Sequence, residues 1–229
     1  MVSRVVYSKR VHHLKMIKKV ATAIRNEKKN SDKWNKLGKS NSFLEIYFSY
    51  SMIMSTTLEC GGFYYLLKQI SFLMEMFTNC GFIARGGIAI GDLYHKDGIV
   101  FGPVLIETIN IEQNIAIYPR VMMTSKTLKE GVEIVDGINN LELRREYFKK
   151  VLKSYKNEID EEFFYVDYLS QSEDFDFYKD YIYFLCNTKK IIEDAFIKIK
   201  DEHVLEKYKW LKKCLCEELS KRSLNYNDL

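Results

Sequence analysis

Proline is nearly absent from this chain. Only Pro103 and Pro119 occur in 229 residues, so a Pro-rich linker is excluded and helices elsewhere run without a ring to break them. No stretch reaches the roughly 18 consecutive apolar residues of a membrane helix, so no membrane partner is expected. The first residues, MVSRVVYSKRVHHLKMIKK, are basic from the start and lack the apolar stretch of about 7–15 residues that marks a secretory signal. Cysteine is sparse and odd in number. Cys60, Cys80, Cys186, Cys214 and Cys216 show no framework spacing, so reduced thiols and a cytoplasmic location are expected. On a helix Cys214 and Cys216 point about 200° apart, and no second Cys or His pair completes a tetrahedral metal site. His12, His13, His95 and His203 are likewise scattered.

Acidic residues are scarce in one region only. Residues 1–40 hold twelve Lys or Arg against Glu27 and Asp32, a charge of +10 that leaves −6 for the remainder of a chain of net +4. A basic arm of this kind suits nucleic acid or an acidic surface. It has little aromatic interleaving beyond Tyr7 and Trp34, so a solvated helix docked on an acidic body is the reading adopted, and nucleic acid is not an expected partner.

Hydrophobic residues make up 47% of the chain, with 16 Tyr and 14 Phe, enough for one ordinary domain with a helical extension. Leu14, Ile17, Val20, Ala21 and Ile24 fall at helical spacing and predict a helix over 12–28. Residues 35–42 are polar and predict a loop. Residues 43–57 predict a hairpin turning at Ser49-Tyr50-Ser51, and 63–77 an apolar helix stopped by Asn79-Cys80-Gly81. Residues 82–91 predict a strand, in which Gly86 and Gly87 point to a close backbone or ligand approach. Asp97-Gly98 carries a hairpin signal and Pro103 opens a helix, with Val104, Ile106, Ile109, Ile111 and Ile115 as its apolar positions. Residues 118–124 predict another strand, while 138–157 and 189–222 read as helices. The expected fold is α/β (α+β): a sandwich with a mainly antiparallel sheet over residues 1–128, and a helical C-terminal extension over 129–229 packed on it.

The block from Ala84 to Met123 is the most specific part of the chain. Arg85-Gly86-Gly87-Ile88-Ala89-Ile90-Gly91, then Ile99-Val100-Phe101-Gly102-Pro103-Val104-Leu105, then Tyr118-Pro119-Arg120 follow one another. Phe48-Ser49-Tyr50-Ser51-Met52-Ile53-Met54-Ser55 precedes them, and Val166-Asp167-Tyr168-Leu169 and Lys207-Tyr208-Lys209-Trp210-Leu211 follow. This succession resembles the class III nucleotide cyclase domain, in particular the bacterial anti-phage Pycsar pyrimidine cyclases and their relatives. The resemblance implies a ferredoxin-like cyclase sandwich, UTP or CTP as substrate, cyclic UMP or cyclic CMP as product, a homodimer with the site between protomers, and two Mg²⁺ or Mn²⁺ ions.

In that family two Asp carboxylates hold the metals, one at the end of the first strand and one in an F-S-D-S hairpin. Hard divalent ions neutralise the triphosphate and activate the 3′-hydroxyl, which oxygen ligands suit. Tyr50 stands at the hairpin position here, and the chain reads as though it began just after the first strand, leaving a gap or exposed edge in the sheet. Catalysis is therefore expected to be impaired or absent, the alternative being a non-catalytic nucleotide-binding or dimerisation module with a regulatory role. The helix positions of the family's Asn and transition-state Arg fall at Ile106 and Asn110. Tyr50, Arg85 and Asn110 are the substrate-binding candidates, and no metal ligand is assigned. Asp92 and Glu45 are weighed as substitute ligands. Arg85 either meets a triphosphate or a dimer partner, or pairs with Glu107 or Glu112. Arg120 is weighed as an anion contact or a structural residue.

Overall fold

The computed structural model describes residues 2–8, 44–48, 51–58, 62–133 and 148–229. The helix expected over 12–28, the loop over 35–42 and Ser49-Tyr50 at the expected hairpin turn lie outside the described residues.

A seven-stranded sheet organises the chain, in the order β2-β3-β1-β4-β7-β9-β8. Its strands are β1 (Val2–Ser8), β2 (Leu44–Phe48), β3 (Ser51–Thr57), β4 (Gly86–Gly91), β7 (Val121–Thr124), β8 (Leu152–Lys156) and β9 (Glu162–Val166). A separate hairpin joins β5 (Tyr94–Lys96) and β6 (Ile99–Phe101). All pairings in the main sheet are antiparallel except β4 with β7. The helices are α1 (Gly62–Asn79), α2 (Pro103–Asn114), α3 (Ser125–Glu133), α4 (Tyr178–Lys198) and α5 (Glu202–Lys221). The molecule is thus an α+β sandwich, and β2-β3-β1-β4 is the ferredoxin-like order.

The expected gap in the sheet is not there. Val2–Ser8 fills the central position, with Val5 opposite Met54 of β3 on one side and Ile88 of β4 on the other. Its β-branched content, three Val in seven residues, suits a strand with neighbours on both sides. The helix expected over 138–157 is corrected as well. Residues 152–156, expected within a helix, form β8, and the β8–β9 hairpin extends the same sheet through β7. Two expected strands are shorter: 82–85 stays outside β4 and 118–120 outside β7, because β4 and β7 first pair at Gly86 and Val121.

Side-chain alternation assigns the two faces. Ile88, Val121, Met123 and Val166 join the larger core, with α1, α4 and α5. Ala89, Met122 and Phe163 face the other way and pack with Val104 and Ile111 of α2. The helix opened by Pro103 buries Val104, Thr108, Ile111 and Glu112, while Ile106 is 64% exposed. Its apolar residues therefore do not all face the core. Asp97 and Gly98 turn the β5–β6 hairpin with φ of 52° and 78°, the type I′ geometry that an Asp-Gly pair supplies at low cost.

Candidate functional site

Strand directions bring the singled-out residues to one end of the sheet. Tyr7 of β1 pairs with Gly86, Ser8 with Ser51, and Met122 with Tyr165. The end of β1, the start of β3, Arg85, Arg120 and Asp167 therefore share that end. Asp92, which follows β4, sits at the other end, about 20 Å away at roughly 3.3 Å per residue along a six-residue strand. Asp92 is exposed there and is corrected as a substitute ligand for a site at the hairpin turn.

Arg85 takes the carboxylate partner that the sequence allowed. Its Nε lies 2.7 Å from Glu112 Oε1, and its Nη1 donates to the Ala116 carbonyl at 3.4 Å. The Glu112 approach is close but off the N–H line, so Oε1 makes no aligned hydrogen bond and the attraction is mainly coulombic. Burial raises the Glu112 carboxyl above its ordinary range, with Arg85 and Lys207 pulling it back down.

Asn110 is not part of this arrangement. It is exposed and lines a shallow concavity with Ile106, Glu107, Asn114 and Thr124. Residues two apart on a helix point about 200° from each other, so Asn110 faces away from Glu112 and its Arg85 partner. The structure does not bring Arg85 and Asn110 together.

The least expected grouping surrounds Arg120. The residue is only 3% exposed. Its guanidinium carbon lies 4.1 Å from the Tyr155 ring centroid, 5.3 Å from Tyr165, 5.5 Å from Tyr118 and 5.6 Å from Trp210. Tyr118 stacks on Trp210 at 5.5 Å and 11°. Such ring faces attract a guanidinium through their quadrupoles. Beside the cage Lys153 Nζ meets Asp167 Oδ2 at 2.8 Å. Burial pulls the Lys153 pKa down, and the Asp167 carboxylate more than offsets it, so the net shift is upward. Burial also pushes Tyr165 and the Cys214 thiol up to about 12. The sequence marked Tyr118-Pro119-Arg120, Val166-Asp167 and Lys207–Leu211 as separate motifs, and Tyr155 and Tyr165 were not singled out.

Among the described residues the metal pair implied by the resemblance finds no fitting donors. The strand in the central position, VSRVVYS, contains no carboxylate. Among the described residues no group of three or more His, Cys, Asp or Glu is placed to hold a metal ion, and no helix is long and apolar enough to cross a membrane. Comparisons with family models, with curated proteins and with solved structures found no match.

Proposed function

We propose that this chain is a cytoplasmic nucleotide cyclase-like protein, related to the pyrimidine cyclases of anti-phage signalling, that has little or no cyclase activity of its own. The observation that carries the reading is the central strand. The β2-β3-β1-β4 order supports a ferredoxin-like half in which the family's first metal carboxylate belongs on β1, and VSRVVYS offers none. With Tyr50 at the second position, two-metal chemistry has no carboxylate at either of its two anchor points. Loss of that charge neutralisation costs several orders of magnitude in rate.

A regulatory homodimer that binds UTP or CTP without turning it over is the form this function takes. Its support is the exposed apolar group on the β5–β6 hairpin and α2, with Ile99 56%, Phe101 58% and Ile106 64% exposed. The test incubates the chain with each of the four nucleoside triphosphates and Mn²⁺, followed by chromatography for cyclic products and, separately, calorimetry for nucleotide binding. Binding without product is the expected result. Robust cyclic UMP or cyclic CMP would overturn the inactive reading, and absence of binding to any triphosphate would overturn the nucleotide reading.

A further inference from the structure

Arg120 lacks what a buried arginine ordinarily has. Its Nε is sealed from solvent with no hydrogen-bond partner, and no carboxylate pairs with it among the described residues. Among the described residues the Nη groups have no side-chain hydrogen-bond partner either. A buried cation is normally paired and hydrogen-bonded. Four rings with centroids 4.1–5.6 Å away stabilise the charge, and Nε still lacks a hydrogen-bond acceptor.

A second cation stands on the same helix face as the cage. Lys207 lies one turn before Trp210 on α5, is half-buried, and is near enough for its charge to act on Glu112. The local carboxylates are already engaged: Glu112 lies 2.7 Å from Arg85, and Asp167 lies 2.8 Å from Lys153. Arg120 and Lys207 remain as two positive charges without a carboxylate at ion-pair distance among the described residues.

We propose that the Arg120 cage is the floor of a binding site for a phosphomonoester, whose phosphate takes paired N–H donors from Arg120 and a point charge from Lys207. A phosphomonoester carries about −1.5 to −2 at neutral pH, which matches the two free cations. A guanidinium held rigid by rings presents its fork ready-formed for phosphate oxygens. The site lies about 14 Å across the sheet from the start of β3 at Ser51, three strand spacings at roughly 4.8 Å each. It stands whether or not the chain is cyclase-like.

The test titrates the full chain at low ionic strength with inorganic phosphate, phenyl phosphate and acetate, reading heat by calorimetry and Trp fluorescence. Saturable binding of both phosphates, with acetate at least about tenfold weaker, is the expected result. Lys207→Gln should weaken phosphate about tenfold at unchanged melting temperature, and Arg120→Lys, which keeps the charge and loses the fork, should weaken it at least as much. If Arg120→Lys fails to fold, Lys207→Gln decides alone, because its side chain is half-exposed. Equal affinity in Lys207→Gln and the unaltered chain would overturn the proposal. So would absence of saturation, or acetate binding as well as phosphate. Binding of inorganic phosphate but not phenyl phosphate would overturn the ester and leave a free-phosphate site.

Discussion

Replacing Gly87 by alanine should push α2 off the sheet. A Cβ built at Gly87 would stand 2.4 Å from the Thr108 carbonyl oxygen, 2.9 Å from Ile111 Cβ and 3.1 Å from Ile111 Cγ2. The first of these is backbone, held in α2 by a helix whose Thr108 hydroxyl also donates to the Val104 carbonyl at 2.6 Å. It cannot rotate away as a side-chain tip can. Carbon contacts settle near 3.5–4.0 Å, so α2 must retreat by about 1 Å. That retreat loosens Ala89, Val104, Ile111 and Met122, all 3% exposed or less. Overpacking of this kind costs about 1–3 kcal/mol. Alanine's lower unfolded-chain entropy returns about 0.5–1 kcal/mol. A net loss of about 1 kcal/mol is expected, which at a slope of about 2–3 kcal/mol per molar urea lowers the midpoint by roughly 0.3–0.5 M. Equilibrium urea unfolding followed by circular dichroism and by fluorescence measures it. A midpoint equal to or above that of the unaltered chain would refute the close approach of α2 to β4, since the intrinsic preference alone favours alanine.

Glu75 offers a pH-dependent counterpart. It is 6% exposed in the larger core, and its carboxyl is raised well above the ordinary range by burial, then by Asp174, with the Ser71 hydroxyl and Lys68 opposing. A folded pKa above the unfolded one means that stability is full below the unfolded value near 4.5 and falls as pH rises toward the folded value. Glu75→Gln should therefore match the unaltered chain at pH 4 and melt higher than it at pH 8; a melting difference independent of pH would count against a protonated core carboxyl. On the opposite side of the molecule, Phe101→Glu places a charge on the exposed β5–β6 hairpin, where Phe101 stacks on Tyr94 at 4.9 Å. Light scattering should show the proposed homodimer shifting to monomer with at least a tenfold loss of dimer affinity, and an unchanged dimer would place the interface elsewhere.

Local signals were legible in the sequence where local physics decides. Asp97-Gly98 specified its turn, Pro103 specified the start of α2, and the apolar run after Gly62 specified α1. β8 was not legible. Leu152 and Tyr155 sit among Lys149, Lys150, Lys153 and Lys156, so charge at near-helical spacing conceals an edge strand whose partner, β9, lies beyond a turn. The strand at Val2–Ser8 was misread because its pairing is non-local: nothing next to it in the chain announces Thr57 and Gly91 as the residues flanking Val2. In the site, the Arg85–Glu112 contact was among the sequence alternatives. The aromatic cage of Arg120 was not, since Tyr155, Tyr165 and Trp210 reach it from β8, β9 and α5, and only the folded sheet brings them together.

The central position of β1 has a consequence for how the molecule comes into being. Residues 2–8 leave the ribosome well before the strands that flank them, which end at Thr57 and Gly91. The middle of the sheet must wait, unpaired on both edges, until its two neighbours have been made. Such late closure of distant pairs makes folding slow, and an unpaired apolar strand is exposed to stray partners meanwhile. Synthesis order and sheet order run against each other here, so this chain is one whose yield should depend on chaperones or on low expression temperature more than its size suggests.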